Sequence, residues 1–123
     1  MARLIRIALI VAINVLICIL AKDERYSDEY DDVDVKKLLE NKELRTQYIN
    51  CFMETGPCIT PQMKFFTEKF SEAFQTRCKK CTERQKEIFA QGIEWIQKNE
   101  PETWQLILLK VIEKMKRKAA AQT

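Results

Sequence analysis

The tightest limit on this chain is set by its cysteines. Cys51 and Cys58 bracket a Gly56-Pro57 break, Cys78 and Cys81 enclose only two residues, and a fifth, Cys18, stands apart near the N-terminus. The later four allow three pairings, and spacing does not choose among them. In the loop-entropy account, joining Cys51 to Cys58 and Cys78 to Cys81 yields about 2–2.5 kcal/mol each, against roughly 3.7 kcal/mol for Cys51 with Cys81. Local pairing would pin corners and leave the helices free to shift.

Whether these thiols oxidise depends on where the chain is delivered. Arg3 and Arg6 precede an apolar run over residues 7–20 broken only by Asn14, and Ala21 follows. A basic start, an apolar core and a small closing residue make a secretory signal peptide over residues 1–21. The run falls short of the roughly 20 residues that span a bilayer. Its removal takes away Cys18, leaves an even four cysteines in an oxidising compartment, and lowers the net charge from +3 to +1, too balanced to suggest nucleic acid. Two other readings exist. Arg77, Lys79, Lys80 and Arg84 would favour a thiolate in a Cys78/Cys81 redox pair, but such pairs normally sit beside a strand-helix-strand unit that this sequence lacks. A four-cysteine zinc site fits the spacing but not secretion. With two glycines and no histidine, phosphate cradles and imidazole-assisted nucleophiles have no footing. The chain therefore reads as a non-enzyme with no catalytic residues, metal or cofactor.

Residues 22–34 carry seven acids against two bases and read as an extended arm. Val35, Leu38 and Leu39 mark a short helix ending near Asn41, which can cap the next. That helix presents Leu44, Tyr48, Cys51 and Phe52 at helical steps until Gly56-Pro57. Thr60-Pro61 starts another, with Met63, Phe66, Phe70, Ala73 and Phe74 on one stripe. Thr82 and Gln85 form a capping-box signature ahead of Ile88, Phe89, Gly92, Ile93, Trp95 and Ile96. After Asn99-Glu100-Pro101, a last helix turns Trp104, Ile107, Leu108, Val111, Ile112 and Met115 inward. Residues 119–123 read as a frayed tail. No segment sustains strand alternation, so the domain, residues 22–118, is all-α.

Beyond residue 21 there are eleven aromatics, and eight of them (Tyr48, Phe52, Phe66, Phe70, Phe74, Phe89, Trp95 and Trp104) lie on or beside inward faces. That is more than a tight core of this size needs. Stiff rings pack imperfectly and can leave a dry apolar channel, although a filled core explains the same pattern.

Tyr30-Asp31-Asp32-Val33-Asp34-Val35, Tyr48-Ile49-Asn50-Cys51, Gly56-Pro57-Cys58 and Asn99-Glu100-Pro101-Glu102-Thr103-Trp104 flank the densest motif, Ala73-Phe74-Gln75-Thr76-Arg77-Cys78-Lys79-Lys80-Cys81-Thr82-Glu83-Arg84-Gln85-Lys86. With this context the four-cysteine frame resembles the insect chemosensory proteins. The resemblance implies a small secreted bundle of five to six helices with disulfides Cys51–Cys58 and Cys78–Cys81 around an apolar channel. It also implies a carrier of fatty acids, esters and pheromone- or odorant-like compounds, with Tyr48 and Trp104 in the family's channel-lining positions. Each disulfide would bracket a helix junction. The expected channel wall is Leu44, Tyr48, Phe52, Phe66, Phe70, Phe74, Phe89, Ile93, Trp104 and Leu108. The partner is a small apolar ligand, the protein a monomer without nucleic acid or stable membrane insertion.

Two departures stand out. Ile59 is an insertion that lengthens the Cys58–Cys78 interval by one residue while keeping Thr60-Pro61 in register. Where the family has Lys-Tyr-Asp-Pro, this chain has Lys110-Val111-Ile112-Glu113, so nothing local stops the last helix before roughly Lys118, and Val111 and Ile112 are expected to make the channel wall more aliphatic. A competing class is a secreted interaction or membrane-surface protein that uses the basic face of residues 110–118.

Tyr48 is then the expected internal polar contact. Tyr48→Phe should weaken alcohols and acids more than hydrocarbons of equal length, by about 0.5–1.5 kcal/mol in competition binding, the value of one neutral hydrogen bond.

Overall fold

The computed structural model describes residues 2–22 and 25–122, and among them every regular element is helical. The arm's Asp23 and Glu24 and the tail's Thr123 lie outside the described residues. Helix α1 (Ala2–Lys22) contributes nothing to a core over residues 3–13, where every side chain is exposed. Among the described residues no helix is long and apolar enough to cross a membrane.

The domain is made by α2 (Val35–Glu40), α3 (Lys42–Met53), α4 (Pro61–Thr76), α5 (Glu83–Asn99) and α6 (Pro101–Ala121). Each junction carries local chemistry that starts or stops a helix. Asn41 closes α2 and caps α3 by accepting from the Leu44 N–H at 3.1 Å. Thr60 caps α4 through Met63 N–H, with Pro61 in the first turn, where its missing donor is harmless. Thr82 and Gln85 complete the capping box on α5. Glu100 precedes α6 without a side-chain cap, because its carboxylate is engaged by Arg45 at 3.1 Å.

The α3 stop differs from the sequence expectation. The helix ends at Met53 with Glu54 in the left-handed region (φ 61°), before Gly56 is reached. Gly56 keeps an ordinary φ, but a Cβ there would lie 3.1 Å from the Asn50 side chain. Close approach, not backbone freedom, selects glycine. The disulfides Cys51–Cys58 and Cys78–Cys81 are both local, each with a Cα separation of 4.9 Å.

Helix α3 packs on α4 and α6, and α5 packs on α2 and α6. Buried side chains form two clusters. Val35, Leu39, Phe66 and Ile88 gather at one end and Phe52, Trp104, Ile107 and Val111 at the other. The arm is fastened over the first by Gln85, which is fully buried: its Nε2 donates to the Ser27 carbonyl at 2.7 Å and to Asp31 Oδ1 at 3.0 Å, while its Oε1 accepts from the Thr82 N–H. Arg84 donates to the carbonyls of Asp31 and Val33. These bonds deliver Tyr30 onto Phe65 and Phe66, with ring centroids 5.2 and 6.4 Å away.

Helix α6 runs past the lost proline to Ala121, so residues 119–121 are helical where the sequence predicts a frayed tail. Alanine favours helix, and the preceding turn is anchored by Arg117 on Glu54 and Lys118 on Glu72. Ile112, expected inward, is 48% exposed; one residue beyond Val111 the helix has rotated its side chain to solvent. The basic face is largely neutralised: Lys110 and Arg117 pair with Glu113, Lys114 lies 4.0 Å from Glu54, and of the bases in residues 110–118 only Lys116 makes no ion pair among the described residues.

Glu72 joins three segments. It accepts from the Tyr26 hydroxyl at 2.7 Å and from Lys118 Nζ at 2.9 Å, and Lys80 lies 3.6 Å away. The Lys118 and Tyr26 hydrogen bonds hold its carboxyl well below the usual glutamate range, at about 2. A depressed folded-state value contributes stability above the unfolded pKa and loses it as pH falls through the folded one. The urea midpoint of the native sequence should therefore exceed that of Glu72→Gln at neutral pH, and the gap should close between about pH 4.5 and pH 2.

Candidate functional site

The two clusters do not merge. Between them lies a cavity of about 150 Å³ whose wall draws on both, with Val35, Leu39, Phe66 and Ile88 from the first and Phe52, Trp104 and Ile107 from the second. Helical spacing explains each contribution. On α3, Arg45, Tyr48, Ile49 and Phe52 recur at i, i+3, i+4 and i+7, a single face. Helix α4 adds Phe66, Thr67 and Phe70, α5 adds Ile88, Phe89, Gly92, Ile93 and Ile96, and α6 adds Trp104 and Ile107. Val33, Val35, Leu38 and Leu39 of the arm and α2 complete the wall.

Ring geometry keeps the space open. Phe52 meets Phe70 edge-on (5.3 Å, 88°) and Phe66 meets Phe89 edge-on (6.0 Å, 81°). Such T-shaped pairs satisfy the ring quadrupoles, but they present edges that cannot interdigitate as aliphatic chains do. Gly92 adds to the void, since a Cβ built there meets nothing within 4 Å.

Of the ten residues expected to line a channel, Tyr48, Phe52, Phe66, Phe70, Phe89, Ile93 and Trp104 surround this cavity, whereas Leu44, Phe74 and Leu108 stand outside its lining. Leu44 precedes the cavity face of α3 by one position and is half-buried. Phe74 lies one turn beyond Phe70, is 39% exposed, and meets Trp104 edge-on at 5.9 Å from outside. Leu108 packs in the second cluster behind Trp104 and Ile107. Val111 is buried in that cluster and Ile112 faces solvent, so neither forms the aliphatic channel wall expected of them.

Polar atoms in the wall are few. Thr67 Oγ1 donates to the Met63 carbonyl at 2.9 Å and lies 3.1 Å from Cys51 Sγ. Tyr48 Oη accepts from Gln62 Nε2 at 2.9 Å, and burial pushes its hydroxyl above the usual tyrosine range against the opposing pull of that bond. Arg45 is the one charged residue of the lining. Arginine on a helix is normally solvated, so the sequence marks Arg45 only by its place three residues before Tyr48, on the same face. Val33, Val35, Leu38 and Leu39 are likewise unmarked as cavity wall in the sequence, since an acidic arm and a six-residue helix carry little periodicity. Among the described residues no cluster of histidine, cysteine, aspartate or glutamate could hold a metal ion.

The profile of the insect pheromone-binding family A10/OS-D matches residues 26–119. The chain is similar to ejaculatory bulb-specific protein 3 of Drosophila melanogaster, at 31% identity over 103 residues, 83% of this chain and 81% of the relative. Among solved structures, it is similar to a chemosensory protein in complex with bromo-dodecanol, at 35% identity and a TM-score of 0.68 over 80% of this chain and 100% of that one. It is also similar to antennal chemosensory protein A6 from the moth Mamestra brassicae, at 36% identity and a TM-score of 0.60 over 79% and 94% of the two chains.

The open space at Gly92 has a measurable consequence. Gly92→Ala should raise unfolding stability by about 0.5–1 kcal/mol in urea titration, because mid-helix glycine is replaced and the added methyl meets no obstacle.

Proposed function

Because the chain belongs to the insect pheromone-binding family A10/OS-D, we propose that it is a secreted, non-enzymatic carrier taking long-chain apolar compounds into the cavity between its two clusters. The observation that carries this reading is the cavity itself: lined almost wholly by carbon and framed by aromatic edges. An apolar space of this order has room for a guest the size of benzene. Burial contributes about 0.8 kcal/mol per methylene before the entropy cost of binding, so each added carbon favours uptake while space remains.

A chain of a dozen carbons needs more room than a cavity of about 150 Å³ offers. Local disulfides permit the widening, because neither ties one end of the bundle to the other. Tyr48, Phe52, Phe66, Phe70, Phe89, Ile93 and Trp104 would be the contact wall. Helix α1, with its basic start and apolar run and with residues 3–13 exposed, is the signal segment in this reading, removed before the domain acts. Fatty acids, esters and odorant-like compounds are the ligand class, and the bromo-dodecanol held by the similar chemosensory protein supports a long alkyl chain with an oxygen at one end. The membrane-surface alternative loses its basis once most of the basic face of α6 is paired.

Displacement of a fluorescent apolar probe by C12 to C18 acids, esters and alcohols, with tryptophan emission followed in parallel, tests the proposal. Gly92→Phe, which fills the void, should lower probe affinity by about tenfold or more, the loss of one or two buried-contact equivalents, while far-UV circular dichroism stays unchanged. A native protein that takes up no member of the series would overturn the carrier reading.

A further inference from the structure

We propose that Arg45 is the head-group site of the cavity and selects ligands ending in a carboxylate; this deepens, and rests on, the carrier reading above. Arg45 is the single charged residue in a wall otherwise made of aliphatic and aromatic side chains, one threonine and one tyrosine. Its side chain is only 14% exposed, yet the guanidinium is not neutralised on every edge. Nε donates to Glu100 Oε2 at 3.1 Å, and Nη1 donates to the carbonyl of Leu39, in the last turn of α2. A guanidinium carries five N–H donors. Those two bonds leave three N–H groups, one on Nη1 and both on Nη2, with no protein acceptor among the described residues.

The plane is also held in place. The guanidinium carbon stands 4.4 Å from the centre of the Trp95 ring, and three contacts of different kinds (stacking, ion pair and carbonyl) fix one orientation. Ordering such a flexible side chain in advance lowers what a ligand must offset on binding. A planar fork with spare donors matches the two oxygens of a carboxylate better than a single hydroxyl. The Glu100 carboxylate does not block this. It reaches Arg45 through one nitrogen, and its own side chain remains 34% exposed, so water screens it from an anion arriving on the cavity side. Thr67 cannot play the same part, since the Met63 and Lys64 carbonyls of its own helix engage its hydroxyl.

The test compares dodecanoate, dodecanol and methyl dodecanoate as competitors of a fluorescent apolar probe at pH 8, below self-association, on the native domain, Arg45→Leu and Glu100→Gln. The native domain should prefer the acid. Arg45→Leu should lower acid affinity by about tenfold, as for one charge-assisted hydrogen bond, and leave the alcohol and ester within about twofold. Glu100→Gln removes the competing anion and should strengthen the acid alone; it decides the matter should Arg45→Leu fail to fold. Unchanged acid binding in Arg45→Leu, an equal loss for all three ligands in a folded variant, or no gain for the acid in Glu100→Gln would overturn the head-group assignment while leaving the carrier reading intact. Failure of all three ligands on the native domain would instead overturn the carrier reading and this assignment with it.

Discussion

The buried amide of Gln85 is the contact on which the cavity depends. An unpaired amide at zero exposure would cost free energy on the order of 1–3 kcal/mol, so its donors and acceptor must find partners wherever the chain can supply them. They find them in the arm and in the cap of its own helix: Ser27 and Asp31 on one side, Thr82 on the other. One residue thus starts α5 and decides where an acidic, nearly coreless segment lies. Val33 and Val35 become cavity wall because the arm is held there, and Tyr30 reaches Phe65 and Phe66 for the same reason.

That dual role explains what could be read in the sequence and what could not. Caps at Asn41, Thr60 and Thr82, the Pro101 start and the aromatic stripes are local signals, and the helices follow them closely. The capping box at Thr82 and Gln85 was visible as a pair three residues apart. The further bonds of Gln85 to residues more than fifty positions away were not, because nothing periodic announces them. The same holds for Arg45. Its place on the Tyr48 face is local arithmetic, but its burial depends on Trp95 and Glu100, which α5 and the start of α6 bring from far along the chain. At the other end, Ile112 and Phe74 show that an apolar residue near a stripe is not always in it: a rotation of one residue, or one extra turn, moves a side chain from wall to surface.

The C-terminal helix shows how a lost stop signal is absorbed. Without proline after Trp104, α6 extends until Lys118 reaches Glu72 and Arg117 reaches Glu54. Glu54 sits in a left-handed conformation at the end of α3, and Glu72 also receives Tyr26 from the arm. The extra helix length is therefore tied back to α3, α4 and the arm.

The gap between the two clusters also has a volumetric side. A folded chain that leaves an apolar gap unfilled by its own atoms occupies more space than those atoms require, and unfolding admits water and recovers that space. The volume change of unfolding scales with such voids and lies on the order of tens of millilitres per mole, so hydrostatic pressure acts against this fold in part through the gap that Gly92 borders. A guest that fills the gap removes most of that volume difference. The occupied and empty forms would then differ in compressibility even where their helices superpose, and a domain shaped to hold something is, when empty, the softer of the two.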